Sequence, residues 1–188
     1  MQLSDWAEGH ARDLLKPLGR RWRHSEAVAA VARELASLVP PGDADVLVAS
    51  AYLHDVGYAP SLAITGFHPL DGARHLRSLG NARLAGLVAY HTAAREEAEL
   101  RGLGSALSKF DDERGIVSAA LAYCDLTVGP SGERMTPEQR RLDVEARYGK
   151  DSPVTASLRS AWPELLKAIE QVDELQRQAA QALAAHPR

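Results

Sequence analysis

The adjacent pair His54-Asp55 constrains this chain more than any other feature, because it follows an apolar segment and other potential metal ligands lie before and after it. With His24, His68, His91 and Asp125 the set holds four imidazoles and two carboxylates, the donors that borderline divalent ions prefer. Groups spread from residue 24 to residue 125 can share one site only if several helix ends are folded together. A lone histidine on a helix is usually an ordinary core or surface residue. Here His24, His54, His68, His91 and Asp125 each fall at or near the end of a separate helical pattern, with Asp55 placed to bridge. The leading expectation is a dinuclear metal site.

The periodic stretches are helical. Val28, Val31, Leu35 and Leu38 predict an amphipathic helix from about Arg21 to Leu38, with His24 in its first turn and Pro40-Pro41 ending it. Asp43 is the expected N-cap of a second helix that runs through Leu47, Ala51 and Leu53 to His54-Asp55, where Gly57 and Pro60 stop it. A loop over residues 57–67 follows, and His68-Pro69 starts a third helix with Leu70, Ala73, Leu76 and Leu79 as its apolar stripe. Leu84, Leu87 and Val88 lead to Tyr90-His91. The pattern weakens between Ala93 and Phe110, with a loop expected at Gly102 and Gly104, before Ile116 to Tyr123 lead to Cys124-Asp125.

Gly129-Pro130-Ser131-Gly132 is a turn. Thr136-Pro137-Glu138 opens a charged helix to about Tyr148 that is expected to face solvent. From Pro153 a long helical region continues, with a break or kink expected at Pro163 and a late Ala/Gln-rich part that buries little. It would pack across the bundle or against a second copy of the chain, so a homodimer is a candidate assembly. No alternating strand pattern, internal repeat or GxxxxGK loop is present. The expected fold is all-α: one helical domain over residues 1–188, with a core motif region at 21–127 and a C-terminal helical extension at 136–185.

Composition narrows the class. Hydrophobic residues make up 45% and charged residues 25% of the chain, which suits a globular protein with a sizeable core. The single cysteine, Cys124, excludes an intramolecular disulfide and a cysteine-based zinc cluster, and reads as a small buried residue. There is no membrane-length apolar run and no signal-like start, so a cytoplasmic location is expected. The net charge is −3 with arginines dispersed, which argues against a nucleic-acid polymer as partner.

The residues His24, His54-Asp55 and Asp125 resemble the H…HD…D signature of the HD-domain superfamily of metal-dependent phosphohydrolases. His68 and His91 resemble the extra ligands of its six-ligand, dinuclear subset. The segment Phe67-His68-Pro69-Leu70-Asp71-Gly72-Ala73 through Tyr90-His91-Thr92 is similar to the YqeK-type branch, whose members cleave diadenosine tetraphosphate symmetrically. The resemblance covers about Arg21 to Thr127. It departs at Tyr58-Ala59-Pro60, where many relatives have a lysine, and over residues 129–150, which have no place in the branch pattern.

The resemblance implies an all-α HD bundle holding two divalent metal ions, Fe or Mn foremost, with Ni, Co, Zn or Mg as alternatives. One ion would take His24, His54, Asp55 and Asp125, and the other His68 and His91 with Asp55 shared. Asp55 and Asp125 would be the catalytic carboxylates, and the substrate a small phosphorylated molecule, a nucleotide or dinucleoside polyphosphate. Two metals sharing a carboxylate would acidify water and clamp a phosphoryl group.

Arg74, Arg95 and Tyr58 are the expected substrate contacts, with Phe67 as a second wall or a core plug. The run Arg20, Arg21, Arg23 reads as a solvated helix start. Asp71 is a candidate to orient an imidazole, and His75 to approach the site or remain a surface residue. His10 and His186 are expected to be exposed. Two other functions fit the same ligands: a di-iron oxygenase of the myo-inositol oxygenase type, and a non-catalytic nucleotide-sensing HD module.

Overall fold

The computed structural model describes residues 2–185. Among the described residues ten α-helices account for most of the length: α1 Leu3–Leu15, α2 Arg20–Leu35, α3 Ala44–Leu53, α4 His68–Ser78, α5 Ala82–Ala89, α6 Ala94–Leu100, α7 Gly104–Leu107, α8 Ile116–Leu126, α9 Pro137–Tyr148 and α10 Pro153–Ala185. Short 3-10 turns join several of them, at Lys16–Leu18, Ala36–Leu38, Pro41–Asp43 and Val56–Tyr58. No β-strand occurs among the described residues. Val128 and Arg134 make one antiparallel bridge across the glycine-rich turn.

The bundle is built around α3. Its residues from Leu47 to Leu53 are all buried, because a helix that is apolar on every side finds its lowest free energy at the centre of a bundle. It packs against α1, α2, α5 and α8, while α4 pairs with α5. The helix expected from about Arg21 to Leu38 ends in α geometry at Leu35 and closes with the 3-10 turn Ala36–Leu38. Asp43 does not cap α3 with its side chain. It pairs instead with Arg83 NH1 at 2.6 Å, tying the start of α3 to α5. The segment expected to be loop after Ala93 holds two short helices, α6 and α7.

Helix α10 runs unbroken through Pro163. The proline is on the exposed face, and so is Arg159, whose carbonyl loses its helical partner and can be hydrated instead. Leu158, Ala161, Leu165, Ile169 and Val172 form the buried stripe of α10, at helical three- and four-residue steps. The first four join Ala93, Ala122, Leu126 and Val144 in a second, smaller core. Helix α10 therefore packs across the bundle, against α8 and α6. This small core also seats α9. Val144 and Arg140 are buried, so the helix expected to face solvent lies against the body of the protein.

Candidate metal centre

Each of the six ligand candidates is delivered by a different local device. His24 is the fifth residue of α2, in its second turn rather than its first, and is buried beside Ser25, Val28 and Val31. His54 is the C-cap of α3, and Asp55 opens the 3-10 turn Val56–Tyr58 that reverses the chain. His68 is the first residue of α4, followed by Pro69 in the first turn, where no backbone N–H is needed. His91 follows Tyr90, the C-cap of α5, and Asp125 is the penultimate residue of α8.

Gly57 fixes the relation between two of these devices. A Cβ there would fall 2.0 Å from the His68 carbonyl oxygen and 2.7 Å from the Gly72 nitrogen. The start of α4 therefore rests directly on the turn after Asp55, a contact that only glycine permits. The result is a separation of 3.3 Å between His68 Nε2 and Asp55 Oδ1.

The donor atoms converge. One atom each from His24, His54 and Asp55 lies within 4.8 Å of the others, and the same holds for Asp55, His68 and His91. Asp55 belongs to both groups. Asp125 joins from the far side, its Oδ1 lying 3.1 Å from His24 Nε2. Three rings are oriented by main-chain carbonyls that accept from Nδ1: His24 by Gly129 at 3.0 Å, His54 by Ala51 at 2.8 Å and His91 by Val88 at 2.7 Å. With Nδ1–H committed, the Nε2 lone pairs of these rings point inward.

This arrangement provides a test of fit. His24 Nε2 faces Asp125 Oδ1 at 3.1 Å and His54 Nε2 at 3.3 Å, so lone pairs meet with no donor among them unless a cation stands there. A proton on His24 serves one acceptor, whereas a metal ion serves all three. The Nε2 atoms of His68 and His91 are 3.2 Å apart. Such separations match adjacent ligands around one ion with metal–nitrogen bonds of about 2.1 Å, which stand about 3.0–3.4 Å apart. The donors fit divalent metal ions.

Charge in the pocket favours the same state. Burial lowers the His54 and His68 pKa values, which keeps the imidazoles neutral. Burial alone would raise the carboxyl of Asp55, but His54, Arg21, His68 and His24 outweigh it and hold the carboxylate well below its usual range. Asp125 is likewise held low against burial, by its close approach to His24 and by His54 and Arg140. Neutral imidazoles and ionised carboxylates are the metal-binding forms.

The centre opens into a cavity walled by Arg21, Tyr58, Thr92, Glu97, Arg140, Val144, Arg147 and Tyr148. Arg21 NH1 donates to Asp55 Oδ2 at 3.0 Å, NH2 donates to the Tyr148 hydroxyl at 3.1 Å, and the guanidinium lies 3.7 Å from the centre of the Tyr58 ring. Tyr58 in turn stacks on His68, with ring centres 4.0 Å apart. Thr92 has a left-handed backbone with φ 51°, a conformation that costs a β-branched residue about 1–3 kcal/mol. It is placed so that its hydroxyl donates to Asp125 Oδ2 at 2.5 Å.

Of the expected substrate contacts, only Tyr58 is on the cavity wall. Arg74 reaches Asp71 at 3.9 Å, and Arg95 pairs with Asp112 and covers the Tyr90 ring beside a separate surface groove. The arginines on that wall are instead Arg21, Arg140 and Arg147. Arg21 had read as part of a solvated helix start, and the α9 residues as part of a solvent-facing helix. The signal for α9 was present as the one-face spacing Arg140, Val144, Arg147, with a single apolar residue to mark it. Thr92 carried no signal, since its role depends on an unusual backbone angle.

Other residues also differ from expectation. Asp71 orients no imidazole. Its carboxylate accepts from the backbone N–H of Ile64 and Thr65 and from the Thr65 hydroxyl, pinning the loop before α4. His75 is away from the centre, with its Nε2 2.7 Å from that of His10, and the half-buried His10 ring stacks between His75 and Trp6. Two residues do follow expectation: Phe67 is a core plug, the second of its two expected roles, and Cys124 is fully buried. His186 lies outside the described residues.

The chain matches the HD domain family over residues 21–145. It belongs to that family, an all-α class whose members are mostly metal-dependent phosphohydrolases. The match extends past Thr127 and takes in most of α9, so residues 129–145 fall inside the family's domain. The comparison with curated proteins and that with solved structures each returned no match. Among the described residues, no helix is long and apolar enough to cross a membrane.

Proposed function

We propose that this protein is a phosphohydrolase with a dinuclear metal centre, acting on a small phosphorylated substrate such as a nucleotide or dinucleoside polyphosphate. The observation that carries the reading is the convergence of four imidazoles on the shared carboxylate of Asp55, with three of the rings tethered through Nδ1. His24, His54, Asp55 and Asp125 would hold one metal, and His68 and His91 the other, with Asp55 common to both. Bound divalent ions would supply Lewis acidity for the phosphoryl oxygens and for water.

The remaining work falls to the chain. Asp125 is ionised, and is held by the Thr92 hydroxyl and by Arg140 NH2 at 3.6 Å. It takes the proton of the attacking water. Arg21, fixed by Asp55 and stacked on Tyr58, presents its guanidinium to a phosphoryl group in the cavity. The Tyr58 phenol is pushed up by burial and by Asp55, so it stays protonated as a hydrogen-bond donor.

Elemental analysis of the purified protein, run beside phosphate release from nucleoside monophosphates, nucleoside triphosphates and diadenosine tetraphosphate, tests the reading. About two equivalents of divalent metal together with turnover support it. Absence of both after reconstitution with Fe, Mn, Co, Ni, Zn or Mg overturns it.

A further inference from the structure

Next to the metal centre a second cleft opens between the start of α2 and α9. Arg20, Arg21, Arg140 and Arg147 line it with Leu18 and Pro130, and no carboxylate does. Arg21, Arg140, Arg147 and His24 also wall the cavity at the metal centre, so the two spaces share one partition. Asp143 holds two of these arginines from behind: its Oδ2 accepts from Arg140 NH1 at 3.0 Å and from Arg147 NH2 at 2.7 Å. Arg21 shares Asp55, while Arg20 is exposed and pairs with no carboxylate among the described residues.

Four guanidiniums around one cleft, set against Asp143, Asp55 beside Arg21 and Asp125 at 3.6 Å from Arg140, still leave an excess of positive charge. Such a cluster is self-repelling unless an anion joins it. Planar guanidiniums suit phosphate oxygens, and Asp143 orients two of them in advance. We propose that this cleft binds a second phosphate of the substrate, so that the substrate class is an oligophosphate chain rather than an isolated phosphomonoester. The proposal rests on the phosphohydrolase reading and refines it. Arg21 touches Asp55 on one side and lines the cleft on the other, so a single side chain belongs to both spaces. Two anions that share one guanidinium are neighbours, as the phosphates of an anhydride chain are.

The test is calorimetric binding of inorganic tripolyphosphate and of orthophosphate to the full chain as purified, with magnesium in excess so that resident metals are not stripped. Wild type, Arg20→Gln, Arg20→Glu and Arg147→Gln are compared, and metal content and circular dichroism are recorded on each sample. Tripolyphosphate should bind at least about tenfold more tightly than orthophosphate. Arg20→Glu, at the arginine that lines this cleft and not the metal cavity, should weaken tripolyphosphate about tenfold while changing orthophosphate less than about threefold, with Arg20→Gln intermediate; Arg147→Gln, on the shared partition, should weaken both anions. Equal affinity for the two anions, or equal losses for both in folded Arg20 variants, overturns the proposal. Arginine-dependent tripolyphosphate binding in a protein without metal or turnover would remove the hydrolase reading and leave the anion cleft standing. Full metal and turnover without the preference would do the reverse.

Discussion

His24 and His54 face each other through their Nε2 atoms at 3.3 Å, while the Nδ1 of each ring is held by a main-chain carbonyl. Neither ring can turn its lone pair away without giving up that hydrogen bond. Only a cation between them relieves the contact, and a metal ion relieves it without charging a buried imidazole. Metal should therefore stabilise the fold. Chelation should lower the melting temperature, and readdition should restore it, with a stabilisation of about 4 kcal/mol when free metal is a thousandfold above its dissociation constant. Calorimetry with and without chelator checks this, and an unchanged melting temperature counts against the metal centre.

Asp55→Ala removes the one carboxylate common to both donor groups and strips Arg21 of its carboxylate partner. Metal content should fall towards zero and turnover should be lost, while the helical circular dichroism persists. Asp125→Asn keeps the shape but loses the proton acceptor. It should reduce kcat by about 10²–10⁴-fold with most of the metal retained. Elemental analysis and steady-state kinetics on the same samples separate the two effects.

Gly57→Ala sets a methyl group against the backbone of α4 at His68 and Gly72, where no flexible side chain can yield. It should destabilise the protein by at least about 1–3 kcal/mol and lower metal affinity by displacing His68. Gly42→Ala, whose Cβ meets nothing within 4 Å, is the control and should change stability by less than about 0.5 kcal/mol. Denaturant melts of the two variants measure the difference.

The contact between His10 and His75 joins α1 to α4 and is sensitive to pH. Burial lowers the pKa of both, opposed at His10 by Asp13 and reinforced at His75 by His10. In the folded state both therefore bind protons less readily than at the ordinary histidine value of 6.5. Their contribution to stability is fully present above that value and is lost as the pH falls through the lowered folded values. Denaturant midpoints should drop between pH 7 and pH 5, and the double variant His10→Gln, His75→Gln should flatten that part of the profile.

Helix phase and termination were legible because they are local. Apolar spacing, Pro69 and Pro137 in first turns, and the chain reversal after His54-Asp55 depend on neighbours within a few residues, and the structure keeps each of them. The arginines were not legible, because a guanidinium goes to whichever carboxylate the fold brings near. Arg95 finds Asp112, Arg74 reaches Asp71, and Arg21, in a basic run that reads as solvated, finds Asp55 across 34 positions of sequence.

The sequence by itself determined an all-α chain and the residue types able to hold metal, since backbone propensity and side-chain chemistry are properties of single residues and short windows. Tertiary structure alone decided that α9 closes over the centre and that Gly57 lets α4 rest on the turn after Asp55. It also decided that Thr92 adopts a left-handed angle to reach Asp125. Each of these rests on contacts between segments far apart in the chain. The contacts of α9 form with the small core of α8, α9 and α10, and that of Gly57 with the main core around Val56 and Val88, and no local pattern encodes either.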